Sequence, residues 1–202
     1  MWTREARVSL NHFLKSPGNL ALSFFVLGSA VLGTAAGGSW LLIEFLSFSP
    51  VENRLVFPPA LLVSTTFLAA GSWLLQRARQ FVRLERQLPF RRNMGLALLS
   101  GTLFVAVQSY GLWCLTSQQK SAAAVGIGDG AFAFALMHGL HFVLALLFVV
   151  FVLLRALADR YDHEYSWGVT ACTWLWHALG IIWLVMLGAF GIASTVVVRA
   201  TF

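Results

Sequence analysis

Charge is scarce in this chain. Asp, Glu, Lys and Arg together make up 11% of its 202 residues, against 58% for the apolar set. Soluble domains carry about 25% charged residues, so there is too little charge here to cover a globule. A mean hydropathy of +0.77 points the same way. A soluble enzyme is excluded, as are disordered tails and collagen-like repeats. Two cysteines cannot staple a disulfide scaffold. No basic stretch is interleaved with base-stacking aromatics, so the net charge of +6 does not indicate a nucleic-acid partner. Anionic lipid at a membrane surface suits these arginines better.

What is present is a series of long uncharged stretches. They run between Lys15 and Glu44, between Arg54 and Arg77, and between Arg92 and Lys120, then over 130–154 and 165–198. About 20 apolar residues suffice for a helix to cross the hydrocarbon. The runs are continuously apolar rather than alternating, which excludes a transmembrane barrel. The chain is therefore expected to be all-α, a polytopic bundle of five membrane-spanning helices near 20–43, 57–76, 93–116, 131–155 and 167–198. Residues 1–18 are expected to form a cytoplasmic interfacial segment, with Ala6, Leu10, Phe13 and Leu14 opposite Arg4, Arg7, Asn11 and Lys15. Residues 19–202 form the transmembrane domain.

Orientation follows from the basic residues. The N-terminal tail, the 77–92 loop and the loop with Arg155 and Arg160 hold eleven of them; the other side holds Arg54, Lys120 and Arg199. Positive-inside reasoning puts the N-terminus in the cytoplasm and the C-terminus outside. Within the first span, Ser29, Gly33 and Gly37 recur every four residues, a spacing that lets helix backbones approach closely in lipid. They are expected to be a packing face, and the tightest one in the bundle. Cys114 and Cys172 fall near opposite membrane faces, too far apart to pair.

Chemistry in the spans, if any, rests on histidine. His138 and His141 belong to Met-His-Gly-Leu-His on the fourth span, and His177 to Trp-Leu-Trp-His on the fifth. At about 1.5 Å per residue, His141 and His177 both lie near the membrane midplane, where polar residues are costly. Three roles compete. A haem or copper site needs convergent ligands, and no carboxylate at depth is available to orient an imidazole. A proton relay needs acidic partners that the spans lack. Hydrogen bonding between helices needs neither, and is the leading reading of the residues alone.

At these same positions the chain resembles subunit III of the haem–copper oxidases. Met137–Val143 looks like that family's histidine-glycine-leucine-histidine motif. Trp176 and His177, followed by Ile181, Ile182 and Trp183, are similar to its tryptophan-histidine helix. Gln108 with Tyr110 resembles its glutamine-containing helix, and Ser64 with Thr65 its serine-rich one. The match runs from about Leu20 onward, in the family's order, and five helices with the N-terminus inside resemble its short bacterial form. The chain departs from the pattern at Gly180, where the family has aspartate three residues beyond the histidine. It departs again at Ala30 and Gly111, where acidic residues are common.

The resemblance implies a non-redox accessory subunit of a respiratory terminal oxidase of the cytochrome c oxidase type. It would sit in a bacterial cytoplasmic membrane, packing against catalytic subunit I and binding phospholipid. No catalytic, cofactor or metal site is expected on this chain, and haem and copper belong to partner subunits. The alternatives are the equivalent subunit of a quinol oxidase or nitric oxide reductase, or a small b-type cytochrome using the midplane histidines. A transporter is disfavoured, because no inverted repeat or Gly/Pro-broken helix pair appears.

Overall fold

The computed structural model describes residues 13–14, 16–46, 59–121, 129–161 and 166–200. Among these residues there are five long helices and no strand: α1 (Pro17–Phe45), α2 (Pro59–Arg83), α3 (Gln87–Ser121), α4 (Asp129–Leu157) and α5 (Trp167–Ala200). Each contains a stretch long and apolar enough to cross a membrane. An uninterrupted helix is what such a sequence must form in lipid, where no water satisfies an exposed backbone N–H or C=O. Most of the expected interfacial segment, residues 1–12 and 15, lies outside the described residues.

Helix ends carry recognisable signals. Pro17 and Pro59 occupy first turns, where a missing N–H costs nothing and the fixed φ suits a helix. The far ends of α2 and α4 close with the same device. Glu85 and Asp159 adopt positive φ (55° and 52°), so that Arg86 N–H donates to Phe81 O and Arg160 N–H to Arg155 O, both at 3.0 Å. The 77–92 loop expected from the charges is thereby reduced to residues 84–86. Arginine interrupts an apolar run without interrupting a helix, since it is a good helix former. Packing carries the two helices past the charges, with Ala78, Val82 and Phe90 all fully buried.

Helices α2, α3, α4 and α5 close a ring in that order, with α5 returning to α2. The α2–α3 hairpin is its most extensive contact. Helix α1 lies outside the ring against α3 and α4. The core runs the length of the ring, from Leu61 and Phe104 through Leu68, Phe142, Leu146 and Trp176 to Leu75, Met94 and Val149.

Helix α1 corrects one expectation. Its buried positions are Gly28, Val31, Ala35 and Ser39. A Cβ on Gly28 would sit 3.1 Å from Leu147 Cδ2, and one on Gly38 would sit 3.2 Å from Ala106 Cβ. Ser29, Gly33 and Gly37 are exposed, and nothing in the described chain lies within 4 Å of a Cβ built on either glycine. Small residues line more than one stripe of α1, and the one that meets α3 and α4 also carries Val31, whose side chain fills the join. Among the described residues, nothing packs against the Gly33 and Gly37 positions of the Ser29 stripe.

Candidate functional site

The polar and aromatic residues singled out from the sequence sort into a buried centre and an outer surface. Trp176, on α5, is fully buried and is the largest such side chain. Two glycines of other helices make its seat. A Cβ on Gly71 of α2 would come 2.6 Å from Trp176 Cζ2, and one on Gly101 of α3 would come 2.7 Å from Cη2. No residue with a side chain could stand at either position with the indole where it is. The edge of Phe142 on α4 faces the indole, ring centres 4.8 Å apart, and the Trp176 N–H donates to Leu68 O at 3.3 Å. Four helices thus meet on one tryptophan.

Seven residues further along α5, Trp183 repeats the arrangement with polar partners. Its N–H donates to Thr65 Oγ1 at 3.0 Å, and Thr65 in turn donates to Leu61 O. The His138 imidazole lies nearly parallel to Trp183, 15° between planes and 6.2 Å between centres. Beside them Ser64 Oγ lies 2.7 Å from Gln108 Oε1 and 2.9 Å from Leu61 O, in a buried bond linking α2 to α3. The serine and glutamine motifs are therefore one contact.

The histidines part company. His138 points into the bundle and is buried, with Nε2 in no hydrogen bond among the described residues. His141, one turn on, is exposed, and its Nδ1 meets Met137 O of its own helix at 2.7 Å. His177 is half-buried in a groove of about 590 Å³ between α2 and α5, with Thr65, Ser72, Gln76 and Gly180. His141, the other half of the pair a midplane haem would need, does not line the groove that holds His177. Among the described residues no three His, Cys, Asp or Glu side chains come together. Cys114 and Cys172 are both free and buried.

At the hairpin end of the bundle, Gln87 Nε2 donates to Tyr161 O at 2.9 Å, and Arg91 pairs with Asp159. Tyr161 sets its ring edge-on to Phe90, with the Arg155 guanidinium 5.4 Å above it. Burial pushes the Tyr161 phenol above its ordinary range, and Arg155 pulls in the opposite direction. Sequence reasoning missed this cluster, and missed the roles of Gly71 and Gly101. The available signal was an isolated glycine in the middle of a helix, which usually has a packing reason.

These features define a class. Four of five membrane-length helices close around two tryptophans, four helix-to-helix hydrogen bonds and a stacked imidazole, which makes this a multi-pass α-helical membrane protein with an interior built for packing. Comparison with known proteins gives the particular family. The family model of cytochrome c oxidase subunit III matches residues 20–191, which include every motif residue discussed above, and the chain belongs to that family. It is 25% identical over 153 residues to the cytochrome c oxidase subunit 3 of Cyprinus carpio, covering 73% of this chain and 53% of the relative. It is 24% identical over 153 residues to that of Drosophila melanogaster, with the same coverage. A probable cytochrome c oxidase subunit 3 of Nocardia farcinica is 26% identical over 120 residues, 59% of each chain. The chain spans about half the length of the animal relatives it matches. The resemblance read from the histidine and tryptophan motifs is thus confirmed at the level of the family.

Proposed function

We propose that this chain is a non-redox accessory subunit of a haem–copper terminal oxidase. In that reading it packs against catalytic subunit I, binds phospholipid and stabilises the complex, while haem and copper reside on partner subunits. The observation that carries the reading is the fate of the family-motif residues. Trp176, Gln108 and His138 are buried in contacts between helices, while His141 bonds a carbonyl of its own helix and His177 lines a groove between α2 and α5. Residues placed to join helices contribute stability and shape; an electron-transfer site would need its ligands aimed at one point.

The reading is tested by stripping the chain from its complex and following oxygen consumption with time. Near-normal initial turnover followed by faster inactivation is expected. Immediate and complete loss, with the haem spectrum of the remaining complex intact, would show a chemical role for this chain. The orientation proposed with it has the N-terminus and the 84–86 turn in the cytoplasm of a bacterial cell, by the excess of Lys and Arg there. A cysteine introduced at Glu85 should resist an impermeant thiol reagent in intact cells. Labelling there would reverse the topology.

A further inference from the structure

The α2–α3 hairpin carries on its outer surface a groove of about 690 Å³ that the packing of the bundle does not use. Three residues of α2 (Trp73, Arg77, Phe81) and three of α3 (Leu88, Arg92, Leu96) define its walls. Arg77 stands seven residues before Leu84 and Arg92 seven after Glu85, so the two arginines stand at the same level of the hairpin, on opposite walls. No acidic side chain lines the groove. Neither arginine meets a carboxylate among the described residues; the neighbouring Arg91 is the one paired with Asp159. Both arginines are exposed.

Two like charges held across one apolar groove repel, and an anion seated between them converts that repulsion into attraction from both sides. A guanidinium also presents a planar fork of donors that fits phosphate oxygens. What flanks the pair restricts the anion further. One turn deeper, about 6 Å along the helix, the walls become Trp73 and Leu96. Trp73 is exposed, with the Arg77 guanidinium 4.8 Å from its ring centre. Tryptophan at this position, between a charge and a membrane-spanning stretch, is the residue type found at the level of lipid headgroups. An anion that carries a hydrocarbon tail can use both halves of this surface, whereas a free anion can use only one.

We infer that the Arg77–Arg92 groove of the α2–α3 hairpin is a binding site for an anionic phospholipid, with the headgroup phosphate between the two arginines and an acyl chain along Trp73 and Leu96. A zwitterionic lipid brings its own cation to the arginine pair and binds less well. The inference rests on the lipid-binding part of the proposed function, and it does not depend on which oxidase the chain joins.

The test is native mass spectrometry of the full-length chain in detergent, titrated with phosphatidylglycerol or with phosphatidylcholine. The chain should retain phosphatidylglycerol preferentially. R77Q/R92Q should lower its affinity for phosphatidylglycerol about thirtyfold and leave phosphatidylcholine unchanged, as expected for two basic residues at a lipid surface. R83Q/R86Q removes the same charge nearer the hairpin tip and should keep the preference. Trp73→Ala, which alters no charge, should weaken retention of phosphatidylglycerol. An undiminished preference in R77Q/R92Q, or an equal loss in R83Q/R86Q, overturns the site. So does displacement of phosphatidylglycerol by inorganic phosphate at matched concentration, which would make the site one for free anions. An intact preference in a chain whose removal abolishes turnover at once would sink the accessory role and leave the lipid site standing.

Discussion

Gly33 and Gly37 on α1 and Gly71 and Gly101 at the bundle centre are the same residue in the same kind of helix, with opposite surroundings. Nothing of the described chain lies within 4 Å of a side chain added to the first pair. The second pair is closed over the Trp176 indole so tightly that a single methyl group would overlap it. By sequence the first pair looks more purposeful, since it repeats at the four-residue spacing of close-packed membrane helices. The difference teaches that a small residue marks where a neighbour can come close, and only a large side chain elsewhere decides where one does. Trp176 supplies that side chain for Gly71 and Gly101.

The sharpest way to break the contrast is to remove the tryptophan. Trp176→Ala should destabilise the chain by about 3 kcal/mol, the low end for emptying a large aromatic site, because lipid lessens the transfer term but not the lost packing. Unfolding of the purified chain in mixed micelles measures it. A cost below that of a surface change would mean that the glycine seat collapses freely. Adding the methyl group is the complementary change. Gly101→Ala should cost roughly 2 kcal/mol through overlap with Trp176 and Leu146, which cannot both move. The double variant W176A/G101A should recover part of that loss, since the methyl group then enters vacated space.

Smaller effects test the polar layer beside the tryptophans. Ser64→Ala removes the bond to Gln108 and should cost about 1 kcal/mol, near the usual range for hydrogen bonds between membrane helices. Tyr161 offers a test by pH, in a place where Gly168 leaves room for its hydroxyl. Its phenol ionises above the ordinary value of 10.0 when folded and near that value when unfolded, so folding favours the protonated form. Stability should therefore be complete below pH 10 and fall as pH rises beyond it, and Tyr161→Phe should flatten that decline. The smallest effect is expected on α1. Gly33→Leu should leave the isolated chain within about 0.5 kcal/mol of the parent, as for surface changes generally. A loss as large as that of Gly101→Ala would place an unseen neighbour on this face and erase the contrast.

The five spans and the family could be read from the chain because both depend on local information: uncharged length for the first, short motifs for the second. Residues 20–43 and 131–155 came within three residues of α1 and α4 at each end. The hairpin ends did not, because Arg77, Arg79, Arg91 and Arg92 ended the uncharged runs while α2 and α3 continued, held by Val82 and Phe90 against the core. The central contact was beyond reach for another reason. Gly71 and Trp176 are separated by most of three helices, and no periodicity links them. His138 and His141 show the limit within a single motif: three positions apart, one enters the bundle and the other leaves it.

The seat of Trp176 also has a consequence for the order in which the bundle is made. Its walls, Gly71, Gly101 and Phe142, belong to α2, α3 and α4, all of which leave the ribosome before α5. Until α5 arrives, those three helices lack the indole on which they meet. The hairpin α2–α3 can associate as soon as it is inserted, but the ring stays open for the length of synthesis that separates Ser121 from Trp176. Closure of the ring is thus tied to the last of its four helices, and a chain arrested before residue 176 has every wall of its centre and no keystone.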